Sequence, residues 1–137
     1  MKNVEVGFNV TPDQLLDAER VRWTLTQYMA EFFESHDFLI CPAASIAAFE
    51  SEKPFIEEID GTPCKTYIDW FAITFALTMT GCPVISLPCG FTDEGLPMGL
   101  QILAKPRRED ELLSFEAFLE EHFDVRDLVP FDPREAS

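Results

Sequence analysis

The sequence predicts a mixed α/β fold, because helical and extended patterns alternate along it. Its pattern indicates a long amphipathic helix at residues 12–35, a short buried strand at 38–41 and a β-hairpin at 84–104. Continuous apolar runs are typical of strands that are covered on both faces, so we expect both faces of the sheet to be covered. All 137 residues (1–137) are expected to form a single domain with one hydrophobic core.

The first predicted helix has a start signal and a regular apolar face. Thr11 can cap it, Pro12 suits its first turn, and Asp13 complements the positive end of the helix dipole. Apolar residues then recur at three- and four-residue steps and are expected to face inward: Leu15, Ala18, Val21, Leu25, Met29 and Phe32. We therefore predict a docking helix. Residues 1–10 have no clear period.

After the first helix, residues 38–41 form a short apolar run that ends at Pro42. Proline has no backbone N–H and cannot donate a hydrogen bond to a neighbouring strand. This pattern predicts a buried strand. The stretch from residue 42 to 66 carries three prolines and mixed charge without a sustained period, so it is predicted to be a long loop. Long loops in compact domains are often lids or binding segments.

Residues 67–80 are apolar nearly all round, and Gly81 and Pro83 follow as stop signals, which favours a buried helix. An extended alternative stays open, because several β-branched residues lower the helix propensity: Ile68, Ile73, Thr74, Thr78 and Thr80.

The last elements are an antiparallel hairpin and a helix. Residues 84–87 and 98–104 read as strands joined by the turn-rich segment 92–95, at the edge or end of a sheet. The final helix is predicted at 108–123, and residues 124–137 are predicted to form a tail. Its expected core-facing residues are Leu112, Leu113, Phe115, Phe118, Leu119 and Phe123.

The charge excludes some classes of partner. Twenty-five acidic and ten basic residues give a net charge of −15, which repels phosphate backbones and anionic lipids, so we expect no nucleic acid and no membrane partner. Asp69 interrupts the longest apolar run before it reaches the roughly 18 residues that span a bilayer, and the N-terminus has no signal-peptide pattern. The expectation is a soluble, cytoplasmic protein.

No residue pattern indicates a metal or redox site. The four cysteines have no CxxC spacing, and only His36 and His122 could join them, so we expect no metal, no cofactor and buried free thiols. Each histidine follows or closes a predicted helix, where a cation complements the helix dipole, so neither is a good general-base candidate.

The sequence also offers no catalytic nucleophile. None of its six serines lies in a GxSxG elbow or a Gly/Ser-rich run, and no lysine is spaced to activate one. Asp69 is different, because a carboxylate in an apolar segment must reach water or a partner. Structural pairing and a substrate-facing role both remain open for it.

Several of these segments resemble the tail of the amidase signature hydrolases. The resemblance covers most of the chain and is carried by residues 37–42 (DFLICP), 67–70 (YIDW), 80–83 (TGCP), and above all by 81–91 (GCPVISLPCGF) followed by 95–102 (GLPMGLQI). Thr78 stands where many members have asparagine, so the subfamily and its substrate stay open.

The resemblance implies a large mixed sheet and hydrolysis of a carboxylic amide through a serine acyl-enzyme, without a cofactor. The family's nucleophile, cis-serine and lysine have no matching positions in this sequence, so no catalytic residue is carried over and only the C-terminal part of the fold is expected. By the family's layout, the acyl side of the substrate pocket is expected to be lined by Pro42, Ala43, Ala44, Ser45, Tyr67, Asp69, Trp70 and Ile73.

Three interpretations remain open. The chain is expected to be a C-terminal fragment of an amidase, and the alternatives are a non-catalytic binding or assembly module and one chain of a split amidase. An amide substrate is expected only for the full enzyme. The apolar segments would expose a large apolar surface if nothing packed against them. The expected protein partner is therefore a second copy of the chain or a missing N-terminal amidase segment.

Overall fold

The computed structural model describes residues 2–124 and shows a small antiparallel sheet with helices on both faces. The predicted tail beyond Asp124 lies outside the described residues. The helices are α1 (Lys2–Phe8), α2 (Pro12–Phe32), α3 (Ala72–Ala76) and α4 (Glu109–Phe123). The strands are β1 (Phe38–Pro42), β2 (Glu58–Ile59), β3 (Thr62–Pro63), β4 (Val84–Phe91) and β5 (Pro97–Ala104).

The main sheet has the strand order β1-β5-β4, and both of its ladders are antiparallel. The predicted hairpin is confirmed as the pair β4–β5, in which Val84 lies opposite Leu103, with a register shift between Pro88 and Gly90. On the other side of β5, Phe38 of β1 lies opposite Ala104. The last strand of the hairpin is therefore the centre of the sheet.

Both faces of the central strand are covered, as the sequence predicted, and the covering elements are helices. Leu103 faces α2 and contacts Met29 and Phe33, whereas Ile102 and Ala104, one residue to either side, face α4. Alternate residues of a strand point to opposite faces, so each helix packs on one set. Among the described residues, the largest completely buried side chains belong to β4 and β5: Leu87, Ile102 and Leu103.

The strand predicted at 38–41 is confirmed as β1, but it is half-buried. Ile40 is 45% exposed, because β1 is an edge strand that pairs on one side only. In α4, Leu112 is buried as expected, but Leu113 and Phe118 are exposed. The predicted apolar stripe of α4 is wider than the surface that β4 and β5 offer.

Helix α2 begins as predicted but docks over only part of its length. Thr11 and Gln14 form a reciprocal capping box at its start. Met29 is buried, whereas Leu15 and Val21 are 60% and 70% exposed, so the predicted inward face is wrong for the first half. The helix is about 30 Å long, and it joins the core only at its C-terminal end, where Met29 and Phe33 belong to the cluster of Leu103. The sequence did not indicate the short α1, and residues 4–8 of this helix are exposed as well.

The segment predicted as a buried helix at 67–80 is helical but broken and partly exposed. One 3-10 turn at Asp69–Phe71 precedes α3 and another at Leu77–Thr80 follows it, with Gly81 ending the run at a φ of 73°. Threonine hydroxyls bond to main-chain carbonyls three residues back, as with Thr80 and Leu77, which favours tight turns over a regular helix. Phe75 and Met79 are exposed, so the helix is not buried in this chain.

The predicted long loop at 42–66 contains a small hairpin. Strands β2 and β3 are joined by Asp60 and Gly61, whose φ angles are 46° and 75°. Positive φ at both central residues is the geometry of a type I′ turn, for which Asp-Gly is a favoured sequence. The Asp-Gly pair was the signal that could have predicted this hairpin.

Candidate functional site

Residues 42–47 leave the end of β1 and lie against the start of β5. Between them is a cavity of about 310 Å³, which we call the 42–47 cavity. Its nine lining residues include no charged side chain. They are Pro42, Ala43, Ala44, Ser45, Ile46, Ala47, Pro97, Met98 and Gly99. All four predicted wall residues of the segment 42–45 line this cavity.

A close backbone contact holds this segment against β5. The Ala43 N–H donates to the Gly99 carbonyl oxygen at 2.9 Å. A Cβ on Gly99 would come within 3.3 Å of the Ala43 Cβ and 3.4 Å of the Leu87 oxygen. The absence of a side chain at position 99 therefore permits the approach.

A buried glutamine joins the segment to α3. Gln101 is 5% exposed, and its Nε2 donates to the carbonyl oxygens of Pro42 at 2.9 Å and Ile73 at 3.1 Å. The Thr74 hydroxyl donates to the Ala43 carbonyl oxygen at 3.1 Å. These bonds bring together Pro42, Ala43 and Ile73, which were predicted to share a wall.

Sequence reasoning missed Gln101 and Thr74. A single amide in the apolar run 100–104 was the available signal, because a buried polar side chain needs hydrogen-bond partners. The signal does not reveal which carbonyls those partners are.

The other predicted wall residues lie outside the cavity lining. Trp70 is half-buried and packs edge-on against Phe49 and Phe71, with ring centroids 5.4 and 5.1 Å away. Tyr67 is 53% exposed and lies 6.3 Å from the Phe71 ring. These rings form a separate aromatic cluster that precedes α3 in the chain, so the structure splits the predicted wall into two parts.

Asp69 takes part in a local turn. Its carboxylate accepts hydrogen bonds from the backbone N–H groups of Lys65 and Thr66, at 2.7 and 2.9 Å, and from the Thr66 hydroxyl at 2.9 Å. The bonds from Thr66 are the main reason that the pKa of this exposed carboxyl lies below its usual range. Of the two roles left open by the sequence, the geometry supports structural pairing.

No described serine is set up as a nucleophile. Ser35 lies 3.0 Å from Nδ1 of its neighbour His36, but the same nitrogen lies 3.0 Å from the Phe32 carbonyl oxygen. A nitrogen that donates to this carbonyl cannot accept the serine proton. Within residues 2–124, no hydrogen bond links a serine hydroxyl to a lysine, and Lys53 instead pairs with Glu50.

The cysteines and acidic residues also show no reactive arrangement. Burial raises the pKa of the Cys41 thiol, which disfavours the thiolate that a nucleophile requires. In the part of the chain that the structure describes, no three His, Cys, Asp or Glu residues are grouped to hold a metal ion. Among residues 2–124, no helix has both the length and the apolar character needed to cross a bilayer.

Known proteins of similar structure share this arrangement of elements. A bacterial aryl acylamidase of the amidase signature family superposes with a TM-score of 0.75 at 22% identity, over 96% of this chain and 28% of that one. A 6-aminohexanoate cyclic dimer hydrolase gives 0.71 at 26% identity, over 88% of this chain and 26% of the other. The first comparison supports the fold alone.

Sequence comparison identifies the family. The chain is 37% identical to the glutamyl-tRNA(Gln) amidotransferase A subunit of Acaryochloris marina over 98 residues, which are 72% of this chain and 19% of the relative. The corresponding protein of Thermodesulfovibrio yellowstonii is 40% identical over 97 residues, which are 70% of this chain and again 19% of the relative. The chain thus matches about a fifth of these relatives. The family model named Amidase matches residues 5–113, and the chain belongs to the amidase family.

Proposed function

We propose that this chain is the C-terminal part of an enzyme that hydrolyses carboxylic amides, and that residues 42–47 form the acyl-side wall of its substrate pocket. The observation that carries the proposal is the link made by Gln101, which fixes the predicted segment 42–45 to α3 beside an open cavity. Holding a pocket wall with buried hydrogen bonds keeps the wall in one geometry, as binding a substrate in a defined pose requires.

In this proposal the serine nucleophile, its bridging serine and the lysine come from the part of the amidase fold that this chain does not match. The matched region is about a fifth of the curated relatives, which leaves ample length for such a core. The reaction would pass through a serine acyl-enzyme without a cofactor. Within residues 2–124, the serines and lysines make no contact that would activate a nucleophile, which agrees with a catalytic core elsewhere.

The purified chain is expected not to hydrolyse a chromogenic anilide, because acyl transfer needs an activated nucleophile and donors for the oxyanion. Release of the coloured aniline measures this directly. The control is the chain with all six serines replaced by alanine, which should give the same background rate. Turnover that follows the chain through purification and disappears in the control would contradict the proposal.

The proposal also explains the exposed apolar surface. The first half of α2 and the helix around α3 expose side chains that a complete amidase fold could cover: Leu15, Leu16, Val21, Trp23, Tyr67, Phe75 and Met79. For this chain alone, we propose self-association through these faces. Burying apolar surface favours association by about 25 cal/mol per Å². This gain opposes the repulsion between the negatively charged chains, which salt weakens by screening.

Sedimentation of the purified chain is expected to show dimers or larger species whose share rises with protein concentration and with salt. Salt is the informative variable, because it screens the repulsion between chains of charge −15 while leaving apolar contacts intact. The variant Val21→Ser with Trp23→Ser should shift the equilibrium toward monomer. A monomer at all concentrations that binds no apolar dye would contradict the proposed exposed interface.

A further inference from the structure

We propose that the 42–47 cavity selects an uncharged, apolar acyl group, so that the amides it serves are neutral aliphatic or aryl amides and not zwitterionic amino-acid amides such as glutamine. This inference rests on the proposed function of the cavity as the acyl-side wall. The juxtaposition that carries it is a cavity lined by alanine, proline, isoleucine and methionine, in which the backbone groups of Pro42 and Ala43 are already engaged.

The side chains of the cavity offer no counter-charge to a substrate. Among its nine lining residues, the only polar side chain is the hydroxyl of Ser45. An acyl group that ends in a carboxylate or an ammonium would give up water there without gaining an ion pair. Burying an unpaired charge is far more costly than burying a methyl group.

The backbone at the Pro42 and Ala43 end of the segment cannot easily replace such a counter-charge, because it is already hydrogen-bonded. The carbonyl oxygen of Pro42 accepts from Gln101, and that of Ala43 accepts from Thr74. The Ala43 N–H donates to Gly99. The groups that could have received an ammonium or a carboxylate at this end of the cavity therefore already hold the wall together.

Asp69, Lys53 and Glu50 are also committed to other contacts. Asp69 is absent from the lining, and its carboxylate accepts the three bonds of its own turn. Lys53 and Glu50, which follow the lining segment in the chain, form an ion pair with each other at 2.8 Å. Neither charge enters the cavity.

The size of the cavity favours a short acyl group. Its volume of about 310 Å³ is at the small end of the range of roughly 300–1,000 Å³ that is usual for ligand pockets. The contact between Gly99 and Ala43 closes one side, since a Cβ at position 99 would meet the Ala43 Cβ at 3.3 Å. A compact apolar group fills this space without displacing the wall.

Three probes with the same chain length and the same amide test this inference: hexanamide, the monoamide of adipic acid and the amide of aminocaproic acid. They differ at the far end, which carries a methyl group, a carboxylate or an ammonium. Titrations are followed by the backbone NMR signals of residues 43–47 and Gly99. We expect hexanamide to bind about tenfold more tightly than either charged probe, and L-glutamine to bind no better than the charged probes.

A matched pair of variants at position 47 sharpens the test. Ala47→Lys adds a cation to the lining, and Ala47→Met adds a side chain of similar length without charge. Only Ala47→Lys should strengthen binding of the adipic monoamide, by about tenfold. The same variant should weaken binding of the cationic probe, the amide of aminocaproic acid. Equal affinities of the wild-type chain for all three probes would overturn the selectivity while leaving the wall in place. If no probe shifted the signals of residues 43–47, the proposed wall would be wrong, and the selectivity with it.

Discussion

Replacing Leu103 by alanine should lower the free energy of unfolding by about 3 kcal/mol, one of the two largest effects that we expect from a single substitution in this chain. Leu103 is completely buried in the central strand and contacts Met29 and Phe33 of the α2 end and Cys82 after Gly81. Truncation removes apolar contacts and leaves a cavity that the paired strands on both sides cannot collapse to fill. Because small domains are stable by only about 5–15 kcal/mol, this loss is a large share.

Urea denaturation followed by circular dichroism measures this change as a lower midpoint. The matched control is Leu113→Ala, which makes the same chemical change at a side chain that is 56% exposed and should alter stability by about 0.5 kcal/mol or less. If the two variants had the same midpoint, the packing of α2 on the sheet would be wrong. In the Leu103→Ala variant, the C-terminal end of α2 should detach from β5 before the rest of the fold unfolds, because Leu103 lies in the interface between them.

Local chemical signals predicted most of the elements in this fold. Thr11 and the residues after it predicted the start of α2, and the apolar runs around the turn at 92–95 predicted the β4–β5 pair. These signals depend on neighbours in sequence, so they can be recognised without knowledge of the tertiary structure. The Asp60-Gly61 turn belongs to the same class and was overlooked.

The extent of burial could not be predicted in the same way. The apolar face of α2 continues from Leu15 to Met29, but only its last turns reach the three-stranded sheet. The area of sheet that can cover a helix depends on how many strands pair. The sequence of the helix does not encode that number. The same limit explains why 67–80 was expected to be buried and is partly exposed.

The candidate site was predicted only in part, because some of its contacts join residues that are distant in sequence. The resemblance pointed to residues 42–45, which line the 42–47 cavity, and to Ile73, whose carbonyl oxygen accepts from Gln101. Tyr67 and Trp70 belong instead to a separate aromatic cluster. Gln101 was missed because its two acceptors lie 59 and 28 residues away in sequence.

Replacing Gln101 by leucine should both destabilise the chain and release the wall segment. The substitution keeps the approximate volume but leaves the carbonyl oxygens of Pro42 and Ile73 without their donor. Each unsatisfied acceptor costs about 1–3 kcal/mol, and both acceptors here are only partly buried, so we expect a loss toward the lower end for the pair, about 2–4 kcal/mol in the free energy of unfolding. Hydrogen exchange at the Ala43 N–H, which bonds to Gly99, should become faster because the segment is no longer fixed to α3.

The control for general destabilisation is Leu112→Ala, which removes buried contacts on the opposite face of the sheet. Under native conditions this variant should leave hydrogen exchange at the Ala43 N–H slow, because the bonds from Gln101 to Pro42 and Ile73 stay in place. Equal acceleration at Ala43 in both variants would mean that Gln101 has no specific part in holding the wall.

The variant Gln101→Glu separates this hydrogen-bonding role from simple packing through its dependence on pH. Burial and two facing carbonyl oxygens disfavour a carboxylate, so the pKa of the introduced carboxyl should be higher in the folded state than its value of about 4.3 in the unfolded chain. A raised pKa in the folded state means that stability is retained below about pH 4.3 and is lost as the pH rises through the folded pKa. The deficit relative to the wild type should therefore be smallest in acid, where the protonated carboxyl can still donate one bond, and should grow toward neutral pH. Urea midpoints of the two proteins across this pH range measure the deficit, and a deficit that did not change with pH would show that the amide fills space without holding the wall.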